Sequence, residues 1–407
     1  MRVSDIRVVT AEETCQIQGW VESDREQDDA QWFAPFMLWH RFPRWCEPFL
    51  SSDNGDPFLA ALLMPAMRIG ERLAISAPVS PRLLDALPDI QSIYACFDQR
   101  NERIPVEAEE RRTPLPAGDG EPGAGLFFSL GVDSFYSLLK NQRDHPDDAR
   151  TVTHLLSVHG FDVAFDGWDE RFPSELLVNF QRVAEEAGKT LVPVVSNVRR
   201  ATTPLAPWTL VHGGGMISIA LALGHGLSRM SVAASTTYDK LYPWGSHPVL
   251  DPFWSTEVLS VIHDGCEMNS IDKTRVIAQS TLVLETLRPC AGYGPGYNCG
   301  QCLKCLRTML DLLQADALDR CQTLPHQIDA VALRAALRPG GPVHVADFTR
   351  RLNALENLGG HAALCRVLRE HLRQGMSSKW VQQTDPAADR GTVRRGLAER
   401  VSGWTNR

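Results

Sequence analysis

No apolar run in this 407-residue chain is long enough to cross a bilayer; the best windows, residues 58–64 and 216–223, fall well short of the roughly 20 residues that a spanning helix needs. A surplus of positive charge is missing too. The net charge is −8 at pH 7, which argues against a general affinity for nucleic acid and leaves room only for a local basic groove. The first residues carry Arg2, Asp5 and Arg7 in place of the apolar core of an export signal, so the expectation is a soluble, cytoplasmic protein without a membrane partner. The ten cysteines do not have the spacing of a disulfide framework. Four of them crowd between Cys290 and Cys305, a pattern that suits a metal site in a reducing compartment. With 43% apolar and 22% charged residues the composition is that of an ordinary globular protein, and the length suggests two or three domains.

The chain is organised around Leu126-Phe127-Phe128-Ser129-Leu130-Gly131-Val132-Asp133-Ser134, where an apolar run ends in a small polar turn and a helical pattern begins at once. That succession reads as strand, anion-binding loop and helix. Amides at the start of such a helix have no intrahelical acceptor and sit at the positive end of its dipole, which suits phosphate. Gly131 lets the backbone approach closely. Ser129 and Ser134 add hydroxyl donors, and Asp133 can hold a magnesium ion that shields the phosphate charge. No Gly-Lys-Ser/Thr ending is present, so this is not a Walker loop. An ordinary β-turn-α corner is the competing reading.

Residues 1–113 read as a small α+β domain with strands at 73–76, 93–97 and 104–108. Its clustered aromatics, Trp20, Trp32, Phe33, Phe36, Trp39, Phe42 and Trp45, supply a core or else a wall for a flat substrate. The Pro- and Gly-rich run 114–124 reads as a linker. From Leu126 short apolar runs alternate with amphipathic segments: a helix at 134–142, a strand at 151–158, a helix at 174–187 stopped by Gly188, a strand at 190–195, Gly213-Gly214-Gly215 leading into an apolar helix at 216–223, and a strand at 230–234. Right-handed crossovers put every strand's C-terminal end on one rim. The serine loop, His159 to Asp162, Ser196-Asn197 and Ser235-Thr236-Thr237 would then share a crevice, with His159 beside a bound nucleotide; capping of the next segment is the plainer use for His159 and Asp162.

The Pro- and aromatic-rich loop Tyr242 to Asp251 offers His247 and Asp251 as titratable groups, or uses them only to tie itself down. In Ser270-Ile271-Asp272-Lys273-Thr274-Arg275 a helix opens whose Lys273 or Arg275 could reach a phosphate. From Leu318 the pattern is helical, with Leu352, Leu355 and Leu358 on one face, and the end carries Arg390, Arg394, Arg395, Arg400 and Arg407.

The most specific signal is C-x8-C-x2-C-x2-C, formed by Cys290, Cys299, Cys302 and Cys305. Four thiolates at such spacings satisfy tetrahedral zinc and leave no open position, which makes a structural site; an iron–sulfur cluster is the second choice and unligated thiols the third. Of the isolated cysteines, Cys266 in His263-Asp264-Gly265-Cys266 is a candidate sulfur carrier or simply a small buried residue. No side-chain catalytic triad is evident.

The spacing Ser-x-Gly-x-Asp-Ser resembles the Ser-Gly-Gly-x-Asp-Ser signature of the PP-loop ATP pyrophosphatases, which split ATP between its α and β phosphates. Leu130 stands where that signature has its first glycine. Joined to the four cysteines, the loop is similar to that of the 7-cyano-7-deazaguanine synthase family, the zinc-containing PP-loop enzymes of queuosine biosynthesis, over about half of the chain. The resemblance implies an α/β fold with a Rossmann-like PP-loop core and zinc-binding segment at 125–316; the N-terminal α+β domain before it and the helical region and tail at 317–407 have no counterpart in that family. It implies ATP, Mg2+ and Zn2+ as cofactors, with Ser129, Leu130, Gly131, Val132, Asp133 and Ser134 at the phosphates. Asp133, Ser134 and Lys273 would be the catalytic groups, and Cys290, Cys299, Cys302 and Cys305 the zinc ligands. The implied reaction adenylates an oxygen of a small-molecule carboxylate or modified base and admits ammonia or an amine, in a ligase-type chemistry; a homodimer is left open. Transfer of sulfur to a nucleoside or RNA is the first rival. A nucleotide-binding regulator whose Leu130 has ended catalysis is the second.

Overall fold

The structure, a computed structural model, describes residues 1–115, 121–161, 172–290, 292, 297–338 and 342–375. The chain begins as an antiparallel meander of β1 (Arg2–Thr10), β2 (Thr14–Glu22) and β3 (Phe36–Pro43), in which Val3, Ile17, Val21, Leu38 and Phe42 turn inward. Helix α1 (Asp56–Ile69) follows and is apolar on every side. Nearly all of it is buried, so the apolar window at 58–64 is a core helix. β4 (Leu73–Ile75) comes next, and then α2 (Pro81–Phe97). The sequence reading has a strand at 93–97, and here the structure differs. Ser80 caps Leu83 N–H, Pro81 fits the first turn, and Leu83, Leu87, Ile90 and Tyr94 repeat at helical spacing, which outweighs the strand preference of the last five residues. β5 is only Val106–Glu107.

The parallel half runs through β6 (Gly123–Phe127), α3 (Val132–Asp144), β7 (His154–His159), α4 (Ser174–Ala187), β8 (Thr190–Ser196), α5 (Val198–Thr202), α6 (Trp208–Ala222), β9 (Leu227–Ala233), β10 (Ser260–Asp264), α7 (Ser270–Ile277) and α8 (Thr281–Thr286). Gly188 ends α4 in the left-handed region at φ 63°, as its position in the sequence suggests. β10 went unread because it is five residues long and its only continuous apolar pair is Val261-Ile262.

These strands form one mostly parallel ten-stranded sheet in the order β10-β9-β6-β7-β8-β3-β2-β1-β4-β5. The expected boundary at 114–124 does not divide it. β3 pairs antiparallel with β8 through His40–Ser196 and Arg41–Val195, so the N-terminal strands extend the parallel sheet, and β6 already begins at Gly123. Residues 116–120 of the linker lie outside the described residues. Met1–Asn298 is one compact unit. In the second unit, from Cys299 onward, the described residues are mostly helical, with α9 (Leu303–Gln314), α10 (Ala330–Ala336), α11 (Pro342–Leu358) and α12 (Ala362–Gly375). Within it Arg351 is fully buried and bonds the carboxylates of Asp311 (2.7 Å) and Asp347 (2.5 Å). Leu352 and Leu355 are buried, whereas Leu358 is 52% exposed and lies off that face. The arginines at 390–407 lie outside the described residues.

The three glycines at 213–215 do not precede a helix but sit inside α6. A Cβ on Gly214 would meet Ala60 O at 2.4 Å, and one on Gly213 would meet Gly245 O at 1.9 Å. These glycines let α1 and the loop after β9 pack against the helix backbone. Because the opposing atom is backbone, Gly213→Ala is expected to cost about 3 kcal/mol. Gly188→Ala, with open space around it, should cost about 1 kcal/mol through its positive φ alone. Urea-unfolding midpoints of the two variants check the difference, and equal midpoints would remove the steric account.

Candidate functional site

β6 stands between β7 and β9: the chain winds from β6 to β7 and β8 on one side and returns to β9 and β10 on the other. The connections after β6 and β9 therefore diverge, which opens a crevice at the C-terminal ends of the strands. The loop 129–134 occupies one side of it. Ser129 N–H donates to Ser134 Oγ (3.2 Å), the two serine hydroxyls are 3.3 Å apart, and Gly131 N–H donates to Ser129 Oγ (3.3 Å). Ser134 Oγ donates to Gly131 O (3.1 Å), and the first intrahelical bond is that of Phe135 N–H to the same carbonyl. The amides of Val132, Asp133 and Ser134 thus precede the helical ladder, the arrangement that attracts an anion.

Leu130 has φ 60° and is fully buried. A leucine in this left-handed conformation costs about 1 kcal/mol, and the buried side chain, worth about 2 kcal/mol, more than offsets it. Its carbonyl accepts from Arg288 N–H at 2.8 Å, which fixes the turn from outside. The loop keeps the backbone shape that a glycine would adopt.

Lys273, in the first turn of α7, crosses from the other side. Its Nζ donates to Asp133 Oδ1 (2.9 Å) and to Ala234 O just past β9, and the side chain is 2% exposed. One ammonium therefore joins the connections on both sides of the crevice. Arg275 instead pairs with Asp272 on the exposed side of α7. Lys140 on α3 bonds Asp264 (2.8 Å) and Glu267 (2.7 Å).

The other sequence candidates separate. His159 closes β7 with its ring 5.7 Å from that of Phe172. Asp162 lies outside the described residues. Ser196 and Asn197 are spent on the sheet. Ser196 Oγ bonds His40 Nδ1 (2.8 Å), His40 Nε2 meets Ser218 Oγ (3.0 Å), and Asn197 holds both Trp39 N–H and Met37 O. Burial pushes the His40 pKa down to about 3, so this ring is a neutral internal tie. Among the N-terminal aromatics Phe33, Trp39 and Phe42 are buried while Trp20 and Trp45 are exposed, so they form no single wall.

An aromatic group does occur on the rim itself, and the sequence reading missed it as a set. His212 and Trp244 rings are 5.0 Å apart, Tyr242 and Trp244 5.5 Å, and the Arg199 guanidinium lies 5.5 Å over Trp208. The only sequence trace was the Tyr-Pro-Trp of the 242–251 loop.

That loop is locked by Asp251, which is fully buried. Its Oδ2 accepts from Ser246 Oγ (2.7 Å) and lies 2.7 Å from His263 Nδ1, and its Oδ1 accepts from His247 N–H (3.0 Å). His247 accepts from Val249 N–H through Nδ1, and burial together with the neighbouring His263 lowers its pKa. For His263 burial works against the charged ring, but the hydrogen bonds of Asp251 and Cys266 outweigh it and raise the pKa to about 9. A histidine with a raised folded-state pKa gives stability that is fully present below its unfolded value of about 6.5 and is lost as pH rises through about 9. We expect unfolding stability to fall by about 2–3 kcal/mol across that window, and Asp251→Asn to flatten the slope. Denaturant titrations at successive pH values check it; a flat wild-type curve would refute the ion pair.

The sulfur atoms of Cys290, Cys299, Cys302 and Cys305 all lie within 4.8 Å of one another. Cys302 N–H points at Cys299 Sγ (3.2 Å), Cys305 N–H at Cys302 Sγ (3.5 Å), and Cys299 and Cys305 sulfurs are 3.9 Å apart. Tetrahedral zinc with bonds of about 2.3 Å separates its sulfurs by about 3.8 Å, whereas a disulfide needs about 2.05 Å. The cluster fits a four-coordinate metal ion such as zinc. Asn298 supports it by accepting from Cys290 N–H (3.2 Å) and donating to Leu287 O (3.0 Å). Of the Gly- and Tyr-rich loop Gly292 to Tyr297 between the first two cysteines, residues 293–296 lie outside the described residues.

Fold and site together define an α/β protein with a mostly parallel sheet, a polar loop at its switch point and a cysteine cluster able to hold a metal ion. No helix among the described residues is long and apolar enough to cross a membrane. No family model, curated protein or solved structure matches the chain.

Proposed function

We propose that the chain is an ATP-dependent, AMP- and pyrophosphate-forming enzyme of the PP-loop type, similar to 7-cyano-7-deazaguanine synthase, that adenylates a carboxylate or amide oxygen so that nitrogen can be transferred to the activated carbon. The observation that carries this reading is the loop 129–134 at the switch point with the Lys273 ammonium on Asp133. The amides of Val132, Asp133 and Ser134 and the two serine hydroxyls receive the departing pyrophosphate. Lys273 engages only Oδ1 of Asp133, leaving Oδ2 for a magnesium ion, which would screen the phosphate charge. A substrate oxygen attacks the α-phosphorus, and ammonia or an amine then displaces AMP. Trp208, His212, Tyr242 and Trp244 form a cluster of rings tilted by 56–60° to one another, any one of which can stack on a planar substrate. The cysteine cluster, closed by four thiolates, is structural in this scheme.

Sulfur transfer is the second reading, and what favours it is that Cys266, in no disulfide, lies just past β10 and accepts through its carbonyl from Tyr238 N–H in the connection after β9. Incubating the chain with ATP, ammonia or amines and a series of acids carrying heavy oxygen in the carboxylate tests the choice. Label transferred to AMP supports carboxylate activation. AMP formed without label refutes it, and AMP formation that depends on sulfide points to sulfur transfer.

A further inference from the structure

A second cation adjoins the loop 129–134, and it has no partner. Arg288, just past α8, runs along the loop: its N–H donates to Leu130 O (2.8 Å), and its carbonyl would stand 4.0 Å from a Cβ on Gly131. The backbone leading into it is held in place. Tyr297 Oη donates to Thr286 O (2.8 Å), and Asn298 Nδ2 donates to Leu287 O (3.0 Å). The guanidinium, by contrast, is not tied to anything. Its Nε is shut off from solvent and meets no acceptor, and no carboxylate among the described residues pairs with it. The other cations at the site are engaged: Lys273 by Asp133 and Ala234 O, Lys140 by Asp264 and Glu267. A partly buried charge with nothing opposite it is unfavourable, because water is excluded on one side and no counter-ion replaces it. A bound anion removes that penalty.

We propose that Arg288 is a phosphate-binding residue whose guanidinium takes the oxygens of a phosphate chain seated at the amides of Val132, Asp133 and Ser134. This role rests on the reading of 129–134 as a phosphate loop and adds the group that carries the uncompensated positive charge. The amides at the start of α3 suit one phosphate group. A long side chain that starts one hydrogen bond away from Leu130 O reaches the phosphate next to it, so the ligand is a di- or triphosphate and not a lone phosphate. Arginine supplies what the amides lack, a permanent charge and a planar fork that makes two parallel bonds to phosphate oxygens. The two cations then divide the work. Lys273 offsets Asp133, whereas Arg288 meets charge on the ligand itself. Because Leu130 is fully buried and its carbonyl receives the Arg288 amide, loop and arginine are held as one piece.

Inorganic pyrophosphate with magnesium, titrated calorimetrically into the full chain, tests this without any turnover of ATP. The parent should bind it, Arg288→Gln should bind it about tenfold more weakly or worse, and Arg288→Lys should fall between the two because it keeps the charge and loses the fork. A measurement on the unaltered chain covers a variant that fails to fold. Butanedione, a small arginine reagent, should modify Arg288 in the free chain and be held off by pyrophosphate, as read by peptide mass spectrometry. Arg275, paired with Asp272 on the exposed side of α7, should be modified in both cases. Equal modification of Arg288 with and without pyrophosphate overturns the proposal, and so does an Arg288 that the reagent never reaches, since phosphate would be shut out as well. Parent-like affinity in Arg288→Gln removes Arg288 and leaves the phosphate loop standing. A parent chain that takes up no pyrophosphate brings down the loop reading and this role together.

Discussion

Purified chain should carry one zinc ion per molecule by elemental analysis, and Cys305→Ala should abolish that binding. Structural zinc held by four thiolates contributes on the order of 10 kcal/mol in small domains, far above the effect of an ordinary core substitution. Cys305 is fully buried, and its amide is directed at Cys302 Sγ, so losing this thiol removes a ligand and leaves a void beside the others. The rest of the chain has its own large core, so the expected damage is local. Fast hydrogen exchange should appear from Leu287 through α9 while the sheet stays protected. The effect should also reach the phosphate loop, because Arg288, two residues before Cys290, donates its amide to Leu130 O. Lowering the pH should release the metal as the thiolates take up protons. Iron with acid-labile sulfide in place of zinc would make the site a cluster; four freely titrating thiols in the metal-replete chain would sink the assignment altogether.

What could be read from the sequence was what is encoded locally. The turn at Ser129 to Ser134, the stop at Gly188 and the cysteine spacing each carry their signal within a few residues, and the structure has the corresponding turn, helix end and sulfur cluster. The joining of β3 to β8 left no such trace. His40 and Ser196 are 156 positions apart, and nothing near either residue says that an antiparallel meander will extend a parallel sheet. The end of α2 was misread because Ile93 and Tyr94 favour strands, whereas the helix draws on a cap and an apolar stripe that begin at Ser80 and Leu83. His263 escaped notice for a related reason. Its partner Asp251 was singled out, but the pairing depends on β10, which is too short to recognise.

Lys273→Met should lower ATP-dependent pyrophosphate formation by about 100-fold or more and leave the fold intact. The substitution keeps the length and apolar stem of the side chain, so packing in the buried channel survives. What is lost is the ammonium. Ala234 O then lacks its donor, which costs about 1–3 kcal/mol, partly offset because a buried charge no longer needs to be stripped of water. Asp133 is different: it is 35% exposed at its side chain, so water replaces the lost partner and the carboxylate stays folded in place but is no longer aimed. A cation positioned where phosphate charge develops is worth about 10²–10³ in rate, and this exceeds what the small stability loss can produce. Lys140→Met is the control. Lys140 sits on α3, the helix that carries Asp133, and bonds two carboxylates, but it is 23% exposed and its pairs are solvated, so its removal should change the rate by less than about tenfold. If Lys273→Met turns over within tenfold of the parent, or if the two lysine variants fall together, the ammonium is only a brace between the two connections and the phosphate site lies elsewhere.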